Sequence, residues 1–321
     1  MKIVDFTCAH IERAMQIAKR DYETERGFVP DLPAITEVPD LTRYAENNLG
    51  VAAFEGARMV GFLCCVKPFQ HAFGSTDAVG VFSPMGANGS INENRAKIYA
   101  LMVQAAAEKW ARAGASSHAV CLYAHDEAVQ QQFFRYGYGM RCVDAIRGMD
   151  EIEAPFCPEY QFSELKPKEF LEILPLDHLL DAHMAASPTF ILRPSDTEES
   201  FLKKAEHYKS IYIAARQNGQ IIAFIRAELD GETFVCNTPG YLHVKGAFCL
   251  PEHRGKGIHK TLLSMLIRKL KAQGYTRLGV DFESINPTAY GFWLKYFNAY
   301  THSVVRRIDE HALQHGGIYH V

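Results

Sequence analysis

The feature that most constrains the fold of this 321-residue chain is an order of elements that repeats in its two halves. In each half two short apolar runs flank a glycine turn, at residues 53–63 and again at 215–225. This pattern predicts an antiparallel hairpin in each half. An aromatic pair occurs in each half, Phe133-Phe134 in the first and Phe292-Trp293 in the second, and an arginine follows each pair, at Arg147 and Arg306. The number of residues between the two aromatic pairs equals the number between the two arginines. The sequence therefore predicts two copies of one domain.

The order of elements within each half predicts the fold class. Each half contains a strand, helices, the hairpin, a strand, a long amphipathic helix ending near Gly114 or Gly274, a strand, a helix and a last strand. The strand before the long helix is predicted at 80–84 and 247–251. This order indicates an α/β fold with a mostly antiparallel mixed sheet and helices on both faces in each domain.

Two prolines mark the predicted domain boundary. Pro155 and Pro158 interrupt regular structure before a new first strand begins near Tyr160. The expected domains are 1–150 and 160–321, joined by a linker at 151–159.

Composition excludes several partners and environments. With 48% hydrophobic residues, 22% charged residues and a net charge of −3, the chain is typical of a globular protein without a nucleic-acid partner. Asp5 interrupts the first apolar run, and no segment has transmembrane length, so neither a signal peptide nor membrane association is expected. The 8 cysteines are scattered, which favours reduced thiols in a cytoplasmic protein. The oligomeric state is not determined by these features.

A glycine turn between a predicted strand and a predicted helix is the strongest candidate binding site. Its sequence at 251–260 is PEHRGKGIHK. Without side chains at Gly255 and Gly257, backbone N–H groups can approach an anion, and the helix N-terminus adds a partial positive charge. The P-loop and dinucleotide-binding patterns do not match this turn. A purely structural turn is the alternative interpretation.

This turn resembles the pyrophosphate arm of the GNAT acetyltransferases, whose pattern is Gln or Arg, two residues, Gly, one residue, then Gly or Ala. Arg254 and Gly257 match the pattern, whereas His259 stands where the family prefers Gly or Ala. The segment from Asn286 resembles the family's N-x-x-A motif and its aromatic helix, although Trp293 replaces a common tyrosine. The resemblance covers about residues 160 to 310, and reaches 1–150 only through the repeat.

The resemblance implies acetyl-CoA-dependent transfer of an acetyl group to an amine acceptor, expected to be a small molecule, in the C-terminal domain. It implies that the CoA pyrophosphate lies on the amides of the turn and that the pantetheine arm pairs with the preceding strand. No metal is expected. The residues implied for cofactor binding are Phe248, Cys249, Leu250, Arg254, Gly255, Lys256, Gly257, Ile258, His259, Lys260 and Asn286.

The proposed chemistry needs a base for the acceptor amine and is helped by an acid for the leaving thiol. Glu228 and Glu283, at predicted strand ends, are candidate bases, and Glu283 is preferred; a solvated carboxylate is the alternative reading. Tyr290 and Tyr296 are candidate acids, although aromatic residues at helical spacing also pack cores. Since a thiol has a pKa of about 8.5, its protonation is helpful but not essential.

The first half is predicted to be a degenerate copy, because its loop at 84–95 has no Arg-Gly-x-Gly unit. One active site per chain is expected. The alternatives to an enzyme are a non-catalytic CoA-binding or sensing protein and an interaction scaffold. His311 and His315 could share a helix face, but no acidic residue lies between them, so a metal site is not predicted there.

Overall fold

The computed structural model describes residues 1–309 and Leu313, so His311 and His315 lie outside the described residues. The chain divides into two compact units, one of Met1–Val143 together with the chain from Ala299 onward, and one of Asp144–Asn298. The predicted boundaries, 1–150 and 160–321 around a linker at 151–159, describe the repeat and stay a prediction. The contact-based division differs from them chiefly in assigning the last strand to the first unit.

The first unit contains the elements that follow in chain order, with β7 crossing into the second unit. They are β1 (Lys2–Asp5), α1 (Ile11–Phe28), α2 (Thr42–Glu46), β2 (Val51–Glu55), β3 (Arg58–Leu63), β4 (Gly80–Ser83), β5 (Asn88–Ser90), α3 (Arg95–Arg112), β6 (Ser117–Tyr123), α4 (Glu127–Arg135) and β7 (Gly139–Gly148).

The second unit continues with β8 (Gln161–Glu164), α5 (Leu174–Ala185), α6 (Glu198–His207), β9 (Ile211–Gln217), β10 (Gln220–Glu228), β11 (Tyr241–Cys249), α7 (Ile258–Ala272), β12 (Arg277–Glu283) and α8 (Pro287–Trp293). The last strand, β13 (Asn298–Arg307), returns to the first unit. Among the helices of the described residues, none is both long and apolar enough to cross a membrane.

The first unit holds two groups of strands. The order β1-β2-β3-β5 is antiparallel throughout and includes the predicted hairpin of β2 and β3. Separately, β6 pairs in parallel with β4 and antiparallel with β13. Helix α3 packs its apolar stripe on this unit, where Ile98, Met102 and Trp110 are buried. Trp110 also donates from its indole nitrogen to the carbonyl oxygen of Leu49 at 3.0 Å.

The second unit is a mixed sheet in the order β12-β11-β10-β9-β8, and β7 flanks β12. Only β11 and β12 are parallel among these five strands. Tyr212 and Ala214 pack on one face with residues of α5 and α6. Because side chains alternate along a strand, the opposite face is the one that α7 covers with Leu262, Leu263 and Leu266. The predicted fold class, a mostly antiparallel mixed sheet with helices on both faces, is confirmed.

Strand β11 changes partner halfway along its length. Its first residues pair in parallel with β12, and this register ends at Val244 opposite Val280. The register with β10 skips Lys245, which makes a β-bulge between Val244 and Gly246. A bulge bends its strand and re-aims the residues that follow. The second part of β11 therefore keeps β10 as its partner while it separates from β12.

The first half builds the corresponding strand differently from the prediction. The segment 80–84, predicted to match 247–251 at the end of β11, forms β4. However, β4 pairs in parallel with β6, which is how the beginning of β11 pairs with β12. The predicted loop at 84–95 contains β5, which pairs with β3 as the end of β11 pairs with β10. The four residues between β4 and β5 thus stand where β11 has only the Lys245 bulge. Spacing alone aligned the wrong segments, because the extra residues interrupt the strand.

A close approach between β11 and β12 yields a stability prediction. A Cβ at Gly279 would lie 1.6 Å from the Tyr241 hydroxyl and 2.9 Å from His243 Nδ1. We expect Gly279→Ala to lower the free energy of unfolding by about 1–3 kcal/mol, because the buried tyrosine must move. Chemical denaturation measures this change.

The matched control is Gly291→Ala in the exposed surface of α8, where a Cβ would meet no atom within 4 Å. We expect that variant to be as stable as wild type or more stable by about 0.5–1 kcal/mol, because alanine favours the helix. Equal stabilities of the two variants would contradict the close approach.

Candidate active site

A cleft of about 610 Å³ in the second unit runs from the glycine turn along β11 to α8. Of the residues predicted for cofactor binding, nine line it. They are Phe248, Cys249, Arg254, Gly255, Gly257, Ile258, His259, Lys260 and Asn286. Leu250 and Lys256 are not among its lining residues. Leu250 donates its backbone N–H to the carbonyl oxygen of Ile222 at 3.0 Å, which ties the end of the strand to β10.

The turn before α7 has the backbone that its glycines allow. Gly255 and Gly257 have φ of 77° and 80°, in the left-handed region that favours glycine, and Gly257 is the N-cap of α7. Arg254 folds back over the end of β11, where its Nε donates to the Cys249 carbonyl oxygen at 3.0 Å. Its guanidinium also lies over the Phe248 ring. The first amides of α7 thus open toward the cleft without a cap from a side chain.

The residues predicted as a linker pack against this turn. A Cβ at Gly257 would lie 2.5 Å from the Pro155 ring. The Cys157 thiol donates to the Lys256 carbonyl oxygen at 3.4 Å, and the Ser264 hydroxyl of α7 donates to the Ile152 carbonyl oxygen at 2.7 Å. This segment therefore supports the turn from outside as well as connecting two domains.

His259 lies on the cleft side of the first turn of α7. Burial lowers the pKa of His259, and its imidazole lies against the Phe248 backbone and the Phe292 ring. Its Nε2 is buried and has no hydrogen-bond partner among the described residues. Packing beside the core thus accounts for the burial of His259 but not for its unsatisfied nitrogen.

Asn286 is the N-cap of α8. Its Oδ1 accepts hydrogen bonds from the backbone N–H groups of Thr288 and Ala289, at 3.2 and 3.3 Å, and so begins α8. Its Nδ2 contacts the Met184 sulfur at 3.6 Å, and Asn286 lines the cleft.

The predicted candidate acids lie in different environments. Helix α8 ends at Trp293, so Tyr296 stands in the following turn rather than at the helical spacing predicted for it. Tyr296 lines the cleft, and Arg147 donates to its carbonyl oxygen at 3.3 Å. Tyr290 packs edge-on against Phe282 instead.

The two candidate bases also differ. Glu228 is 5% exposed, accepts a hydrogen bond from the Ser210 hydroxyl at 2.5 Å, and lies 3.3 Å from Arg226 Nε. These contacts hold it as a buried structural ion pair. Glu283, at the end of β12, forms an ion pair with Arg193 at 3.6 Å. It lies three residues before Asn286, which lines the cleft.

The model of the acetyltransferase (GNAT) family matches residues 176–298, which hold both the cleft and the glycine turn. This match assigns the segment 176–298 to the GNAT superfamily. Acetyltransferases of the Yersinia pestis strains Pestoides F and Antiqua are 29% identical to it over 106 residues, which are 33% of this chain and 70% of each relative. Acyl transfer with acetyl-CoA is the general chemistry of this family.

The fold similarity extends over both units. A solved GCN5-related N-acetyltransferase from Sphaerobacter thermophilus covers 95% of this chain and 95% of its own, with a TM-score of 0.58 and 11% identity. At that identity the similarity shows the fold alone. It nevertheless confirms the prediction that the chain has a GNAT-type fold in tandem.

The GNAT segment also contains a polar cluster that sequence reasoning missed. Where β11 leaves β12, His243 Nε2 donates to Asp281 Oδ1 at 2.7 Å. On its other side, His243 Nδ1 is 2.9 Å from the Tyr241 hydroxyl and 3.7 Å from the Cys236 sulfur. Lys245, the bulge residue, also donates to Asp281, at 3.1 Å. The alternate positions 241, 243 and 245 on one strand could have suggested a shared face, but the bulge and the partner loop were not predictable.

The pKa values in this cluster follow from its ion pairs. Burial alone would lower the pKa of His243, but the hydrogen bonds with Asp281 and Cys236 raise it to about 9. Burial raises the pKa of a carboxyl, yet His243 and Lys245 hold that of Asp281 well below its usual range. Burial likewise opposes ionisation of Cys236, but His243 and Tyr241 bring the pKa of its thiol below the usual value. Within the described residues, no group of three His, Cys, Asp or Glu side chains is placed to hold a metal ion.

The first unit fills the corresponding region with its own side chains. The N–H of Ser90 in β5 donates to Asp21 at 3.2 Å, and Arg95 donates to the Ser90 carbonyl oxygen. Arg95 is also paired with Asp21 and Asp126, at 2.9 and 2.6 Å. Asn88 bridges to the Cys121 carbonyl oxygen of β6 at 3.1 Å. The strand edge that lines the cleft in the second unit is therefore hydrogen-bonded internally in the first.

The cluster yields a prediction for histidine titration. In Asp281→Asn the imidazolium of His243 loses its charged partner while its burial remains, so we expect its pKa to fall from about 9 by about 1–3 pH units. NMR of ¹³C-labelled histidine measures the titration, and His243→Asn assigns the resonance. A His243 resonance with the same pKa in wild type and Asp281→Asn would contradict the ion pair.

Proposed function

We propose that the second unit is an N-acetyltransferase that transfers the acetyl group of acetyl-CoA to the amine of a small molecule. The observation that carries the proposal is that the glycine turn and the separated half of β11 line one continuous cleft. An anion-binding turn and a strand edge with spare hydrogen-bonding groups are what a long ligand with a pyrophosphate and two amides requires.

Each part of the cleft suits one part of the donor. The amides from Gly255 to His259 would hold the pyrophosphate, with Lys260 adding positive charge. The backbone at 247–249 would pair with the amides of the pantetheine arm. Both positions have the left-handed backbone that favours glycine, and at Gly257 a Cβ would also meet the Pro155 ring.

The reaction needs few protein groups. Acetyl-CoA supplies an activated acyl group as a thioester. We propose that Glu283 accepts the proton of the acceptor amine through water, because Glu228 is already engaged with Ser210 and Arg226. Tyr296, which lines the cleft, would donate a proton to the leaving sulfur. Backbone N–H groups of β11 would stabilise the negative charge that develops on the carbonyl oxygen.

One acetyl-CoA per chain is proposed. In the first unit, Asp21 and Arg95 already bond the N–H and C=O groups of Ser90, and the helix after β5 begins at Arg95 without a glycine turn. A donor would have to displace a buried ion pair there, which is costly.

A non-catalytic CoA-binding protein is the alternative, and one observation favours it. The His259 imidazole lies against the Phe248 backbone, where the donor's arm would pair, and the family has a smaller residue at this position. Binding without turnover over a broad amine panel would support this alternative.

Calorimetric titration with acetyl-CoA tests the binding site. A Cβ at Gly255 would meet no atom within 4 Å, and asparagine and aspartate tolerate its left-handed backbone. We therefore expect Gly255→Asp to raise the Kd by about 10- to 100-fold, because its carboxylate repels the pyrophosphate.

The matched control is Gly255→Asn, which has the same size without the charge and should retain most of the affinity. Equal weakening by both variants would indicate a steric effect, and it would contradict phosphate binding at this turn. A wild-type protein that binds no acetyl-CoA would reject the proposed function.

The role of Tyr296 is tested by steady-state kinetics with an acceptor amine identified by testing turnover over the amine panel. We expect Tyr296→Phe to lower kcat by about tenfold, less than a general acid usually contributes, because a thiolate leaves readily. Tyr290→Phe is the control and should leave kcat unchanged, since Tyr290 packs against Phe282. Equal effects of the two substitutions would remove Tyr296 from the proposed mechanism.

A further inference from the structure

The polar cluster at the start of β11 has the parts of an activated nucleophile. A nucleophile, a base within reach of it and a third group that orients the base form the arrangement used in covalent catalysis. Here Cys236 Sγ is 3.7 Å from His243 Nδ1, and His243 Nε2 is bonded to Asp281 Oδ1 at 2.7 Å. None of these three residues is needed for the function proposed above.

The surroundings of the sulfur favour its thiolate form. His243 is completely buried, so its ring position is fixed between Cys236 and Asp281. The Thr233 hydroxyl lies 3.6 Å from the sulfur, and Tyr241 adds a hydrogen bond to it. The charged groups that face this cluster are Asp281, Lys245 and Glu232, and Glu232 interacts electrostatically with both of the others. Asp230 lies 3.8 Å from Lys245 Nζ, and Asp144 acts on Tyr241.

The local backbone brings the sulfur to this position and leaves it within reach of solvent. Cys236 is in a short 3₁₀ helix, Phe234–Asn237, and is half-buried rather than enclosed. A Cβ at Gly231 would lie 2.2 Å from the Cys236 sulfur and 3.2 Å from His243 Nδ1. Only glycine at 231 therefore lets the loop close over the pair.

We propose that Cys236 is a nucleophile that accepts acyl groups from thioesters, with His243 as its proton partner and Asp281 as the residue that orients His243. The location supports a thioester as the electrophile. Val244 and Val280 are the last residues paired between β11 and β12 before the two strands separate at the cleft. His243 directly precedes Val244, and Asp281 directly follows Val280. The choice of thioester rests on the proposed function, whereas the activation of the thiol does not.

The step balances without another reactant. The Cys236 thiolate attacks the carbonyl carbon, a carbon–sulfur bond to Cys236 forms, and the bond from that carbon to the donor sulfur breaks. The leaving thiolate takes the proton from His243 Nδ1, which gives S-acyl-Cys236, a neutral imidazole and a free thiol. An amine that later attacks this thioester releases Cys236 as a thiolate and returns a proton to His243.

The experiment uses S-acetyl-N-acetylcysteamine, a thioester without a nucleotide, and follows acetylation of each cysteine by peptide mass spectrometry. Cys8 is exposed and serves as the reference thiol in the same molecule. At about pH 6.5, where an ordinary thiol is only about 1% thiolate, we expect Cys236 to react about tenfold faster than Cys8. Release of the acetyl group by neutral hydroxylamine identifies a thioester.

Variants then separate activation from exposure. His243→Asn should slow Cys236 to the rate of Cys8 or below, with the rate of Cys8 unchanged, and Cys236→Ser should remove the modified peptide. The wild-type comparison needs no variant to fold, and a Cys236 that reacts no faster than Cys8 overturns the proposal. An unchanged Cys236 rate in folded His243→Asn overturns it as well.

The two proposals fail in different ways. Gly255→Asp should be acetylated by the short thioester as fast as wild type, because this donor has no pyrophosphate. Acetylation of Cys236 in a protein that does not bind acetyl-CoA would retain the nucleophile and reject the acetyl-CoA site. If acetyl-CoA binds and neither donor gives S-acetyl-Cys236, the acetyl-CoA site is retained and the nucleophile is rejected.

Discussion

The separation of β11 from β12 after Val244 is the constraint on which the rest of the second unit depends. Two parallel strands normally satisfy each other's backbone groups along their length. Here the Lys245 bulge redirects β11 while β10 continues to pair with it, so one edge of residues 247–249 faces the cleft. Backbone groups are costly to bury without partners. A strand edge left in this state is stable when water or a ligand bonds it, which makes the separation a binding feature.

The first unit shows the other solution to the same problem. Its strand is interrupted by four residues where β11 has a single bulge residue, and β4 and β5 take the two partners that β11 takes in turn. The exposed backbone is then bonded by Asp21, Arg95 and Asn88. The two units therefore share an order of elements, and they differ in whether the gap between strands is closed by the chain's own side chains. Loss of the glycine turn and internal closure of the gap are consistent with each other.

More of the fold than of the candidate site could be predicted from the sequence. Elements with strong periodicity, such as the hairpins and α7, were predictable because burial of one face dictates their pattern. The glycine turn was predictable because its backbone requires particular residues. The interrupted strand at β5 was missed, since spacing cannot distinguish a loop from a three-residue strand. The end of α8 at Trp293 was missed for a similar reason, and it places Tyr296 in a turn instead of in the helix.

The Cys236 cluster was missed because its members come from a loop and two strands, and because a bulge sets their final positions. Both this cluster and the cofactor turn depend on glycines, because they need a missing Cβ or a left-handed backbone. At Gly257 the left-handed backbone opens amides toward the cleft, while the missing Cβ admits the Pro155 ring on another side. At Gly279 the missing Cβ admits the Tyr241 hydroxyl beside His243. Such glycines serve two neighbours at once, so their substitution would disturb packing and chemistry together, whereas Gly255, with open space around its Cβ position, separates the two effects.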